Sequence, residues 1–270
     1  MNKRDSLGDR MKQYEAVPKT ILTRRLPVII RLDGKAFHTF TRGMNKPYDD
    51  ILMKTMQATM KYLCENIQGC VFGYTQSDEI TLVLTDYATL ETDAWFGYNV
   101  QKMTSVVASM ATLIFNKEFN KIVDDFFDGC CYFQDMDIES PYCNILSKCC
   151  DKGAMFDARV FSLPREEVCN CLIWRQQDAI RNSIESAGQA QFSHKELYKK
   201  TCKQIQEMLI TEKGIYWDDY PTSFKMGSAC YKKPVEIQTE NNGCVLRYKW
   251  EVDTEIPLFT EERIFVEKWI

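Results

Sequence analysis

The chain has 270 residues, 45% hydrophobic and 27% charged, with 34 basic against 38 acidic side chains and a formal net charge of −4. This balance excludes a disordered or low-complexity chain, and the length allows one large domain or a domain with a substantial extension. The mild acidity removes the overall basic footprint of many nucleic-acid binders, although net charge averages over faces, and basic pairs occur at Lys199-Lys200 and Lys232-Lys233.

The first residues, MNKRDSLGDRMKQYE, are charged and carry no apolar core, so no secretory signal is expected. The most apolar stretch, Val106 to Phe115, falls short of the about 20 residues that a bilayer requires. A cytoplasmic protein without membrane contact is expected, and with it free thiols at the twelve cysteines.

LPVIIRLDG, residues 26–34, reads as a buried strand stopped by the turn formers Asp33-Gly34. From Tyr48 to Gln68 the residues Leu52, Met56, Met60, Leu63 and Ile67 recur at steps of three or four, which predicts an amphipathic helix with Asp49 and Asp50 at its front and Gly69 at its end. CVFGYTQ (70–76) and ITLVL (80–84) then predict a hairpin. A second helix is predicted from Trp95 to Asn120, and MFDARVFSL (155–163) predicts another strand. The order strand, helix, strand, strand, helix, strand is that of a ferredoxin-like βαββαβ unit, an α+β antiparallel sheet with helices on one face. Such a sheet sets its first and third strands side by side. Asp33 is therefore expected beside the hairpin turn that carries Asp78.

Beyond residue 164 the pattern changes. Residues 165–187 and His194 to Leu209 predict two helices, GIYWDDYP reads as a turn, and Cys244 to Val252, after Asn241-Asn242-Gly243, predicts a strand of a C-terminal hairpin. Two parts are expected: a catalytic unit over 1–164, and a mostly helical extension over 165–270 packed on it.

No phosphate-binding glycine loop and no H-E-x-x-H motif occurs. His38 and His194 are the only histidines, so metal chemistry must rest on carboxylates or thiols, and oxygen ligands favour Mg²⁺ or Mn²⁺. Asp33, Asp78 and Glu79 fit that demand, because acids gathered at adjacent strand ends repel one another unless a cation lies between them. The Gly34 carbonyl can add a ligand, and its missing side chain would let a phosphate approach. The cysteine-rich stretch holding Cys130, Cys131, Cys143, Cys149 and Cys150 matches no regular pair of zinc knuckles.

RLDGKAFHTF (31–40), Lys46-Pro47, YTQSDEI (74–80), FDARV (156–160) and WRQQDAIRNS (174–183) together resemble the tRNA(His) guanylyltransferase family, and within it the bacterial like-protein branch. The resemblance implies a polymerase-palm-like domain that activates a tRNA 5′ end with ATP or GTP and adds nucleotides to it in the 3′-to-5′ direction. It implies two Mg²⁺ ions, replaceable by Mn²⁺, on Asp33, Asp78 and the Gly34 carbonyl, with Glu79 supporting or binding them. It places nucleotide and triphosphate contacts at Gly34, Lys35, Ala36, Phe37, His38, Lys46, Ser77 and Arg159. It also implies a homotetramer that grips the tRNA acceptor stem and 5′ end.

One segment departs from the family pattern: after W-R-Q-x-D the chain reads Ala179 to Ser186 where other members carry a distinct polar signature. This favours templated repair of 5′-truncated tRNAs over dedicated guanylylation of tRNA(His). A palm-type nucleotide cyclase and a non-catalytic RNA-binding module are the rival expectations.

Overall fold

A computed structural model of the chain describes residues 6–133, 140–238 and 244–270. Helix α1 (Ser6–Ala16) precedes strand β1 (Val28–Gly34), the single turn α2 (Phe37–Phe40) and helix α3 (Asp50–Asn66). Asp49 caps α3, its Oδ1 accepting from the amides of Ile51 at 3.0 Å and Leu52 at 3.2 Å. The helix thus starts just inside the predicted boundary at Tyr48. Strands β2 (Cys70–Gln76) and β3 (Glu79–Leu84) form the predicted hairpin.

The helix predicted from Trp95 is interrupted. Phe96 and Gly97 take left-handed φ values of 51° and 59°, which a right-handed helix cannot carry, so Trp95–Tyr98 is a separate 3₁₀ turn. Helix α4 (Val100–Phe133) begins after it and runs well past Asn120. Helix α5 (Pro141–Lys152), not foreseen from the sequence, is started by proline at its first turn and by Ser140, whose Oγ accepts from the Cys143 amide. Strand β4 (Phe156–Ser162) closes the predicted unit.

Helix α6 (Arg165–Gln191) is a single long element. The helix predicted over 194–209 divides into α7 (His194–Leu197) and α8 (Cys202–Met208), because each half carries its own capping box, Ser193 with Glu196 and Thr201 with Gln204. Between them Lys199 takes a positive φ of 60°. Helix α9 (Thr222–Met226), strands β5 (Ser228–Gln238) and β6 (Cys244–Asp253), and the turn α10 (Ile264–Glu267) complete the chain. The predicted Asn241-Asn242-Gly243 turn lies outside the described residues.

The six strands make one sheet in the order β4-β1-β3-β2-β5-β6, antiparallel throughout. Its first four strands have the ferredoxin-like order, with β1 and β3 adjacent. The C-terminal hairpin prolongs that same sheet, β5 pairing with β2 through Gly73↔Cys230, Tyr74↔Ala229 and Thr75↔Ser228. Gly227 permits the approach: it has φ +85°, and a Cβ there would stand 2.5 Å from the Thr75 carbonyl oxygen.

Strand alternation sends Val28, Ile30, Leu32, Ile80, Leu82 and Leu84 to one face, under α3 and α4. Ile29, Phe72, Tyr74 and Val83 go to the other, where Val168 and Leu172 of α6 and the C-terminal Phe259 and Val266 cover them. Each such side chain stabilises the fold by about 1.5–3 kcal/mol on burial. The extension therefore supplies the second layer of the sheet. Among the described residues no helix is long and apolar enough to cross a membrane.

Tyr74 ties the two parts together through its hydroxyl, which donates to the Met226 carbonyl at 2.7 Å. Tyr74→Phe is expected to lower unfolding stability by about 1 kcal/mol, because that partly buried carbonyl loses its partner. Urea denaturation should show an earlier midpoint with an unchanged slope.

Candidate active site

The acidic residues meet at one end of the sheet because of register. Asp33, at the end of β1, lies opposite Glu79 of β3 on one side and opposite Asp157 of β4 on the other. The turn Ser77-Asp78 joins β2 to β3, with Ser77 at φ 49°, and the Gly34 amide donates to the Asp78 carbonyl at 3.1 Å. The Ser77 hydroxyl donates to Asp78 Oδ1 at 3.1 Å. The turn is therefore latched to the strand that carries Asp33.

Burial pushes the Asp78 carboxyl above the usual range, and the neighbouring Asp33 charge adds to the rise against the hydrogen bonds to Asp78, the Ser77 hydroxyl among them. Burial also raises Glu79, opposed by the Arg175 guanidinium. Among the described residues no three His, Cys, Asp or Glu side chains meet as a ready-made metal cage. Asp33 and Asp78 lie close enough for their charges to interact, and two such carboxylates could supply oxygen ligands to a cation. That suits Mg²⁺, which characteristically takes one or two carboxylates and completes its shell with phosphate and water. The mutual repulsion of the two acids is what such a cation relieves.

Glu79 is engaged differently. Its Oε2 accepts from Arg175 Nη1 at 2.8 Å, with Arg31 Nε at 3.8 Å. Arg175 lies in the WRQQD segment, 96 residues further on; the sequence displayed that segment, but not the partner it reaches.

Beside the acids lies a pocket of about 490 Å³, within the 300–1,000 Å³ typical of ligand sites. Gly34, Ala36, Phe37, His38, Lys46, Ser77 and Asp78 of the predicted set line it, whereas Asp33, Lys35, Glu79 and Arg159 do not. Arg159 stands across from Arg31 in the β1–β4 register, half-exposed and 3.8 Å from Asp157. Lys35 is exposed, and its amide donates to the Met155 carbonyl at 2.8 Å.

Gly34 also meets a packing demand. A Cβ there would meet the Phe37 ring at 2.2 Å, so the ring fills the space that a side chain would need. Phe37 in turn packs against Phe40, Phe115 and Phe156 at centroid distances of 5.3–5.5 Å.

Part of the pocket wall escaped the sequence analysis. Gln57 of α3 donates to Ser228 Oγ at 3.0 Å, Ser186 of α6 donates to the Pro47 carbonyl at 2.7 Å, and Phe224 of α9 packs on Tyr48 at 4.9 Å. Asn182 and Ser183 complete the α6 side. These α6 residues belong to the 179–186 segment that departs from the family pattern, so the departure itself was the available signal. Cys143 and Cys149 are buried in α5, Cys149 Sγ donating to the Phe40 carbonyl at 3.2 Å; the side chains of Cys130 and Cys131 lie outside the described residues.

A family model described as tRNAHis guanylyltransferase matches residues 8–164. A solved bacterial tRNA(His) guanylyltransferase (Thg1)-like protein in complex with ATP superposes with a TM-score of 0.77 at 39% identity, covering 98% of this chain and 99% of that one. The GTP complex of such a protein gives 0.75 and 37% with the same coverage. The tRNA(His) guanylyltransferase of Saccharomyces cerevisiae is 26% identical over 238 residues, 83% of this chain and 89% of its own. Motifs, strand order and whole-chain superposition agree, and the chain belongs to the tRNA(His) guanylyltransferase family of nucleotidyltransferases.

Proposed function

We infer that the protein activates the 5′ end of a truncated tRNA with ATP or GTP and then rebuilds it in the 3′-to-5′ direction, guided by the opposite acceptor strand. The observation that carries this reading is the latching of Asp78 to the end of the Asp33 strand, at the mouth of a nucleotide-sized pocket. In the first step a 5′-phosphate oxygen of the tRNA bonds to the α-phosphorus of the triphosphate, and pyrophosphate leaves. In the second, the 3′-hydroxyl of the incoming nucleotide bonds to the activated 5′ phosphorus, and the nucleoside monophosphate leaves. His38, Lys46 and Ser77 orient the triphosphate by donating to its oxygens, and Phe37 holds the backbone around it in place. Asp33, Asp78 and the Gly34 carbonyl would hold the divalent cations, Mg²⁺ or Mn²⁺. When bound, such ions would supply positive charge against the phosphoryl oxygens and the leaving group.

The α6 wall at 179–186 lacks the polar signature tied to guanylylation of tRNA(His), so nucleotide choice falls to base pairing, and the protein need only read RNA shape. In this reading residues 165–270 contact the acceptor stem in the cytoplasm, and a homotetramer assembles a basic groove from chains that are each mildly acidic.

The test is incubation of 5′-truncated tRNAs with ATP, GTP and labelled nucleotides, with the added residues mapped. Template-complementary additions with pyrophosphate release are expected, abolished by chelation and restored by Mg²⁺ or Mn²⁺. A cyclic nucleotide formed without RNA, or RNA binding with no pyrophosphate release, would refute the assignment.

A further inference from the structure

Glu79 is held as its acidic neighbours are not. Arg175 donates to Oε2, whereas Oε1 is sealed from solvent and has no hydrogen-bond partner among the described residues. Arg175 is itself fixed from two sides: Nη2 stands 3.1 Å from Asp178, and the guanidinium lies 3.8 Å from the centroid of the Trp174 ring. Arg175 is 6% exposed and Glu79 7%. The carboxylate is thereby restricted in orientation and largely neutralised, directly opposite Asp33 in the β1–β3 register.

We propose that Arg175 is a positioning residue for nucleotidyl transfer: it occupies one oxygen of Glu79 and cancels its charge, so that the divalent cation is held at Asp33 and Asp78 instead of being drawn toward Glu79. This rests on the reading of the acidic edge given above. The guanidinium does not touch the reacting atoms. Its planar fork serves Glu79 and Asp178 at once while lying on Trp174, a combination that the single ammonium of lysine does not offer. An ion pair that merely supported the fold would act otherwise: its loss would lower cation binding and catalysis together, in step with the folded fraction.

The two cases separate when Mn²⁺ binding to the metal-free full-length protein is titrated calorimetrically alongside nucleotide incorporation. Arg175→Met is expected to bind Mn²⁺ about threefold more tightly or better, because a freed carboxylate joins the acids. Its incorporation is expected to slow by about ten- to a hundredfold, because the cation is displaced. Arg175→Lys should fall between wild type and Arg175→Met on both readouts. Combining Glu79→Gln with Arg175→Met should return Mn²⁺ affinity to the wild-type value. Parallel losses of binding and activity, or unchanged binding in Arg175→Met, would overturn the proposal. If Arg175→Met does not fold, the opposed changes in Arg175→Lys decide it. A wild-type protein that neither binds Mn²⁺ nor incorporates nucleotides refutes the assigned function; an active wild type with parallel losses in the variants refutes only the role of Arg175.

Discussion

Asp78→Ala is expected to reduce incorporation at a truncated tRNA 5′ end by about three orders of magnitude or more, the equivalent of the several kcal/mol that cation charge stabilisation supplies. The chain should stay folded. Asp78 sits in a turn whose latch to β1 uses its backbone carbonyl, which alanine keeps. The sign of the pH linkage agrees. Burial and Asp33 raise the folded-state carboxyl above its unfolded value, so its contribution favours folding in acid and is lost as pH rises through the folded value. At neutral pH the ionised side chain works against folding. In metal-free buffer Asp78→Ala should therefore melt no earlier than wild type. Mg²⁺ should raise the melting temperature of wild type and leave that of the variant unmoved. Incorporation close to the wild-type rate would sink the catalytic assignment.

Gly34→Ala tests the packing in the wall of the pocket. The new methyl carbon would meet the Phe37 ring at 2.2 Å, and that ring is already enclosed by Phe40, Phe115 and Phe156. Overpacking of this kind costs about 1–3 kcal/mol, which a urea denaturation midpoint will register. The larger effect is on the ligand. Displacing Phe37 moves Ala36 and His38, and ATP affinity measured by calorimetry should fall by about tenfold or more. Adding Phe37→Leu makes room for the methyl and should recover part of that loss. If it recovers none, the glycine matters for direct phosphate approach and the ring is incidental.

What the sequence revealed and what it hid divide along a physical line. The βαββαβ order was legible because the elements differ in pattern, a short continuous β-branched run in LPVIIRL and a period of 3.6 from Leu52 to Ile67, and because that order fixes β1 beside β3. Asp33 and Asp78 could be paired on that basis alone. The break at Phe96-Gly97 was hidden because the apolar spacing continues across it, and spacing carries no information about the sign of φ. The division of 194–209 was written in two capping boxes that the apolar pattern outweighed. Arg175 and Ser186 reach the site from α6, Gln57 from α3 and Phe224 from α9, and no local pattern encodes such convergence. Gly34 was recognised as necessary, but the ring that requires it lies three residues on and folds back over it.

Hairpin tips ordinarily tolerate changes in chain length better than any other part of a sheet. The tip at Ser77-Asp78 joins two strands that are both interior, β3 between β1 and β2, and β2 between β3 and β5. One inserted residue must either lengthen the tip, carrying Asp78 away from the Gly34 amide, or slip β3 by one position, turning Glu79 from the α6 side of the sheet to the α3 side. Either change takes the acidic edge apart without altering a single carboxylate. The length of this turn thus holds the acidic edge together as much as its composition does.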